Sequence, residues 1–192
     1  MKLAILIASL PDRKELLDRL LKELTQQAGD LMGKEITIIV DAAPRPTTTG
    51  AKRNTLMDQA MVEGAQYIAF FDDDDMPGPT YISKMLEGIA TGADCCSLVG
   101  QIYWNGKPGK PFLHSIKYQD WWEDENFYYR CPNHLNCIKL DLVKDIKFPD
   151  QVFGEDGQWS MKIKEAGVLK TEFEITDVIY KYFVGEPKFE IV

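Results

Sequence analysis

The chain has 192 residues, enough for one domain with a real core, and its 45% apolar and 27% charged residues are the balance of an ordinary globular protein. A formal net charge of −8, from 30 acidic and 22 basic residues, argues against an extensive nucleic-acid backbone footprint, though not against a local basic groove. No apolar run is long enough to cross a bilayer, and Cys95, Cys96, Cys131 and Cys137 lack zinc-site spacing, so small buried thiols in a reducing cytoplasm are expected.

In chain order, LAILIAS (3–9) is a continuous apolar run, as expected of a central parallel strand covered on both faces. One lysine before so short a run does not make a convincing signal peptide. Asp12 followed by Glu15 resembles a capping box, and Leu16, Leu17, Leu20, Leu21 and Leu24 recur at helical spacing behind it. ITIIVD (36–41) is a second strand ending in Asp41, and a Pro-rich loop leads to a predicted helix over 50–64. YIAFF (67–71) is the third strand, with Pro79 near the start of the next helix. This β-α-β-α-β-α order is that of a doubly wound α/β sheet, in which ligands bind beyond the carboxyl ends of the strands.

The second half changes character. Strands are expected in CCSLVGQIYW and FLHSIKY, joined by the turn NGKPGKP, whose lysines leave a small opening for contact with nucleic acid. The aromatic, acidic stretch YQDWWEDENFYYR follows, then CPNHLNCIKLDLV and the loop FPDQVFGED. A helix over about 155–166 ends at Gly167, and TEFEITDVIYKYFVGE supplies a closing strand.

The third strand runs straight into four aspartates, Asp72–Asp73–Asp74–Asp75. Two unit charges about 4 Å apart repel by roughly 4 kcal/mol at an effective dielectric of about 20, so the block is either solvated or offset by something bound. On an extended strand end Asp72 and Asp74 face one way, Asp73 and Asp75 the other. Two carboxylates on one face offer hard oxygen ligands to Mn²⁺ or Mg²⁺.

The ordered set of Asp41, F-F-D-D-D-D-M-P-G-P, the Arg53-Asn54 pair early in the preceding helix and the Glu155-Asp156 pair opening a late one resembles the GT-A-fold glycosyltransferases, family 2 in particular. The resemblance implies an α/β, Rossmann-like nucleotide-diphospho-sugar transferase fold, with a mostly parallel central sheet flanked by helices. It implies one catalytic domain over 1–192, whose first half (to about 92) binds nucleotide and whose second half binds acceptor. It further implies a metal-dependent, inverting transferase using a nucleotide-diphosphate sugar, UDP-linked by default. Asp41 would then hold the base, Ser9, Arg13 and Asp73 would join the nucleotide site, and Asp72 would contact ribose or metal. Asp74 would coordinate the metal, Asp75 would either hold a donor-sugar hydroxyl or support the site from behind its ligands, and Arg53 would face the phosphates or pin the acidic block. Asp156, beside Glu155, would be the general base, although both residues also suit the first turn of a helix as plain charges.

Other candidates stay open. His134 could face the phosphates, ligate the metal, contact the acceptor or be structural, whereas His114 on an alternating strand reads as structural. Trp121 and Trp122, with Phe127, Tyr128 and Tyr129, suit either an acceptor platform or lid packing. The acceptor itself, whether glycan, lipid, protein or modified nucleic-acid base, is not legible, and nothing suggests a membrane span or a further domain. The alternatives are a nucleotidyltransferase, for which SLPDRKE lacks a Gly-rich phosphate loop, and a non-catalytic metal or nucleotide-sugar binding module. An EF-hand does not fit, because DDDDMPGPTYIS lacks the sixth-position glycine and the twelfth-position acid.

Overall fold

The apolar runs become strands covered on both faces. The computed structural model describes residues 2–185; Met1 and residues 186–192, with the last residue of the predicted closing strand and the end of the predicted domain, lie outside the described residues. The first half alternates β1 (Leu3–Ala8), α1 (Lys14–Ala28), β2 (Ile36–Asp41), α2 (Thr49–Val62), β3 (Tyr67–Phe70), β4 (Met76–Pro77) and α3 (Tyr81–Thr91). The second half runs β5 (Cys95–Cys96), β6 (Leu98–Trp104), β7 (Lys107–His114), β8 (Trp122–Glu123), β9 (Tyr128–Arg130), β10 (Ile138–Lys139), α4 (Leu140–Val143), α5 (Glu155–Ala166), β11 (Glu172–Phe173) and β12 (Val178–Val184).

Among the described residues these strands form two six-stranded sheets. The first has the order β11-β5-β10-β3-β1-β2, parallel except at β10, which is antiparallel to both of its neighbours. Three short strands from the second half therefore complete the sheet begun by the first. The second sheet, β4-β12-β6-β7-β9-β8, mixes parallel and antiparallel pairs. Strand alternation divides the core. Leu3, Ile5 and Ile7 pack with Leu20 and Leu24 of α1 and with Tyr81 and Met85 of α3. Ala4 and Leu6 pack on the other face with Leu56 and Met57 of α2 and Trp159 and Ile163 of α5. The carboxyl ends of β1, β2 and β3 thus point between two helical layers.

Two local expectations are corrected. Asp12 does not cap α1, because Pro11 opens a 3₁₀ turn over Pro11–Arg13 and moves the helix start beyond it, with no side chain capping the helix. The cap appears instead on α2, where Thr48 Oγ1 accepts from the Ala51 N–H at 3.1 Å. The predicted turn NGKPGKP contracts to Asn105 and Gly106, both at positive φ, and Lys107 and Lys110 belong to β7. Lys110 donates to Glu123 at 2.5 Å and lies 4.4 Å from the Tyr128 ring centre, so one of the segment's two lysines is engaged within the protein.

The aromatic packing beneath the strand ends is dense. Trp159 of α5 stacks on Phe148 at 4.4 Å, meets Phe70 edge-on at 6.4 Å and donates its indole N–H to the Ile146 carbonyl at 2.7 Å. We expect Trp159→Ala to destabilise the protein by about 3–5 kcal/mol, measured as a lowered urea midpoint at unchanged m-value.

Candidate active site

The four aspartates do not continue the strand. The Asp75 N–H returns to the Asp72 carbonyl at 3.1 Å, closing a turn immediately after β3. The strand alternation expected for them is therefore lost, and each carboxylate meets its own environment. Asp72 faces Arg53 Nη2 at 2.9 Å and His134 Nε2 at 3.3 Å. Asp73 is buried, accepting from Ser9 Oγ at 2.6 Å and pairing with Arg13 Nη1 at 3.0 Å. Asp74 projects outward, its carboxylate on the other terminal nitrogen of Arg13. Asp75 turns fully inward, accepting from Tyr180 Oη at 2.7 Å and the Phe183 N–H at 2.8 Å.

These environments separate the four acids electrostatically. Burial raises the Asp72 pKa, but His134 and Arg53 outweigh it and hold the carboxyl well below its ordinary range. Burial raises Asp73, against the opposing pull of the Ser9 hydrogen bond and Arg13. Burial, joined by the negative charges of Asp72 and Asp74, pushes Asp75 far upward. Asp75 is therefore an internal anchor of the turn rather than a group open to a donor sugar.

Arg53 extends from the second turn of α2 and is 5% exposed. Besides Asp72 it pairs through Nη1 with Glu155 Oε1 at 2.8 Å, and its guanidinium carbon lies 5.6–5.7 Å from the ring centres of Phe70 and Phe148. Glu155, the first residue of α5, is buried, and burial raises its pKa against the opposing effect of Arg53. Asp156, the next residue, stays 29% exposed, with Oδ2 at 3.6 Å from His134 Nδ1. His134 thus sits between Asp72 and Asp156, one ring nitrogen toward each. Its backbone is fixed because its carbonyl accepts from the Phe70 N–H at 2.9 Å, while Asn133 and Asn136 close the surrounding turn with side-chain hydrogen bonds.

Two cavities meet over this group, sharing Asp72, Val152 and Tyr182 in their walls. The larger, about 550 Å³, lies over the strand ends and is lined by Ser9, Arg13, Arg45, Lys52, Asp73 and Asp74. The smaller, about 290 Å³, contains Arg53, His134, Glu155, Asp156 and Arg130 together with Ile102, Phe112 and Phe153. One lobe is polar and sets Arg13, Arg45 and Lys52 against Asp72, Asp73 and Asp74; the other holds the partly exposed Asp156 carboxylate against partly apolar walls.

The remaining candidates separate. Asp41 makes a local turn, accepting from the Ala43 N–H at 2.9 Å. The Trp121 ring carries Arg130 over its face at 4.5 Å, whereas Trp122 stacks on Tyr129 at 3.9 Å; neither ring lines the two lobes. His114 is buried with Nδ1 at 3.2 Å from Asn136 Oδ1, its pKa pushed down to about 3 by burial first and Arg130 second. All four cysteines are free and buried. The sequence reading assigned no role to Lys52, Arg130, Tyr180 or Tyr182. The buried Lys52 reaches the Ser9 carbonyl at the back of the larger lobe. Tyr180 and Tyr182 come from the alternation of VIYKYFV, and the place of that strand beside the acidic turn is a tertiary fact with no local signal.

Asp72 and Asp74 present hard oxygen atoms to one cleft, which suits Mn²⁺ or Mg²⁺. Among the described residues no group of three or more His, Cys, Asp or Glu side chains forms a closed cage. The donor set fits an ion that takes its other ligands from water and substrate oxygens.

The family model for glycosyl transferase family 2 matches residues 14–146, more than half of the chain. The chain belongs to glycosyl transferase family 2. Among solved structures, S. aureus TarS 1–349 in complex with UDP-GlcNAc aligns with a TM-score of 0.70 at 15% identity, over 98% of this chain and 60% of that one. The complex of the same TarS chain with UDP gives 0.69 at 16%, over 96% and 61%. A197 from STIV gives 0.54 at 16%, over 97% of this chain and 87% of that one. At these identities the likeness establishes the fold, which is the GT-A fold, and this chain spans about three fifths of the TarS chain. No curated protein sequence matches it.

Asp75 yields a prediction with a definite sign. In the unfolded chain it ionises near pH 4, but in the folded protein it holds its proton to higher pH. Its contribution to stability is therefore complete below pH 4 and lost as pH rises through the folded-state pKa. Asp75→Asn keeps an acceptor for the Phe183 N–H and removes this titration. We expect its urea midpoint to fall less than that of the parent protein between pH 5 and pH 7.

Proposed function

We propose that this chain transfers a sugar from a nucleoside-diphosphate donor, a UDP-sugar, to an acceptor hydroxyl with inversion at the anomeric carbon. The observation that carries the reading is the placement of Asp72 and Asp156 on either side of His134, where the two lobes meet. The larger lobe would take the nucleotide and diphosphate, and the TarS complexes with UDP-GlcNAc and UDP lend the same fold a precedent for that ligand. The smaller lobe would take the acceptor. On this reading residues 1–192 form one catalytic unit.

Asp72 and Asp74 would hold the divalent ion, with His134 beside them, and the ion when bound neutralises charge developing on the departing diphosphate. Arg13 and Lys52 line the same lobe and add positive charge there. Asp156, open to the smaller lobe, accepts the proton of the acceptor hydroxyl as its oxygen bonds to the anomeric carbon from the face opposite the leaving diphosphate. The bond between the anomeric carbon and the phosphate oxygen breaks in the same step, and its electrons stay with the diphosphate. Glu155 is a positioning residue: buried on Arg53, it fixes the first turn of α5 and hence the carboxylate that follows.

Calorimetric titration of UDP tests the first half of this scheme. Binding should require Mn²⁺ and vanish with EDTA or in Asp74→Ala; metal-independent binding of undiminished affinity would remove the metal role. For the second half, Asp156→Asn should lower transfer roughly 10²–10⁴-fold while UDP affinity holds within about twofold. Full turnover in that variant would exclude Asp156 as the base.

A further inference from the structure

The smaller lobe contains a cation that the scheme above does not use. Arg130 closes β9, and its half-buried guanidinium lies 4.5 Å from the Trp121 ring centre. The Trp121 ring in turn stands 3.4 Å from where a Cβ on Gly157 would lie, so the indole is wedged between the first turn of α5 and Arg130. The contrast with the other arginines around the site is chemical. Arg13 pairs with Asp73 and Asp74, and Arg53 with Asp72 and Glu155, while Arg45 lines the other lobe. Among the described residues Arg130 has no carboxylate within ion-pair distance and makes no side-chain hydrogen bond, although it shares a cavity wall with Asp156. Burial lowers its pKa, with the nearby negative charge of Asp156 acting in the opposite sense.

A guanidinium braced on an aromatic face keeps its hydrogen-bonding edge free, and that planar edge matches the two oxygens of a carboxylate or phosphate. Partial burial strengthens such a contact and makes the unfilled state costly. The donor diphosphate has its own cations, Arg13 and Lys52, in the other lobe. Resting on the transferase reading, we propose that Arg130 is an anion-recognition residue for the acceptor: the acceptor bears a phosphate or a carboxylate close to the hydroxyl that Asp156 deprotonates. The apolar walls formed by Ile102 and Phe112 leave Arg130 as the group that selects for charge.

The test is a titration of the full chain saturated with UDP and Mn²⁺, using glucose 6-phosphate, glucuronate and glucose as probes. Glucose 6-phosphate or glucuronate should bind about tenfold or more tightly than glucose; preference for one over the other identifies phosphate or carboxylate as the anion. Arg130→Gln should abolish that preference without weakening glucose, and Arg130→Lys should restore part of it. Equal binding of charged and neutral probes to the parent protein would overturn the proposal. So would Arg130→Gln weakening all three equally, which would make the residue a support for Asp156 or the fold. Loss of UDP binding itself in Arg130→Gln would also overturn it, by assigning the cation to the donor. Failure of UDP to bind the parent protein is a separate result, and it would count against the transferase reading instead.

Discussion

The site depends on one buried cation. Arg53 enters from α2 between the acid that ends β3 and the acid that begins α5, with two aromatic rings alongside it. It is the only described residue that pairs with both Asp72 and Glu155, and these belong to parts of the chain 83 positions apart (155 − 72). A charge that deeply placed is tolerable only while its partners are present. Without it, Glu155 would be an uncompensated carboxylate in an apolar setting, and the first turn of α5 would have to open to water. The position of Asp156 follows from that pairing, and His134 extends it by spanning Asp156 and Asp72.

Four adjacent aspartates are stable here because they are not treated alike. Asp72 keeps its charge beside Arg53 and His134, Asp74 lies against Arg13, Asp73 shares that cation and a hydroxyl, and Asp75 escapes the repulsion by holding its proton in the interior. An extended strand end would have stacked these carboxylates in two like-charged pairs. The turn after β3 replaces that geometry with separate environments, and the mutual repulsion becomes a source of differing proton affinities. This is how one sequence element can provide both a charged edge on the cleft and a neutral internal peg.

Much of this was readable before any coordinates. The continuous apolar runs at 3–9 and 67–71, the helical leucine spacing between them and the strand-end acids gave the α/β order and pointed to the candidate site. Arg53, Asp72, Glu155 and Asp156 do converge, because each lies at an element end that the pattern defined well. What local pattern could not give was pairing between distant segments. Strands of two residues, such as β5, β10 and β11, are too short to show a period, so the completion of the first sheet by the second half was invisible. The inward turn of Asp75 was illegible for the same reason, since its partners Tyr180 and Phe183 lie on β12. Arg130 carried no signal of its own within YQDWWEDENFYYR; its place beside Asp156 without a carboxylate partner is a property of the assembled cavity.

The contact between Asp75 and β12 has a consequence for the order of events during synthesis. The acidic turn leaves the ribosome well before its anchor, because the hydroxyl and the amide that seat Asp75 belong to β12, 105 and 108 positions further along the chain. Until Tyr180 and Phe183 leave the ribosome, the four carboxylates have no internal anchor and must remain hydrated. The acidic edge is encoded well before its anchor, so a truncated product ending before β12 would carry every acidic side chain of the candidate site and still lack the geometry that makes them one.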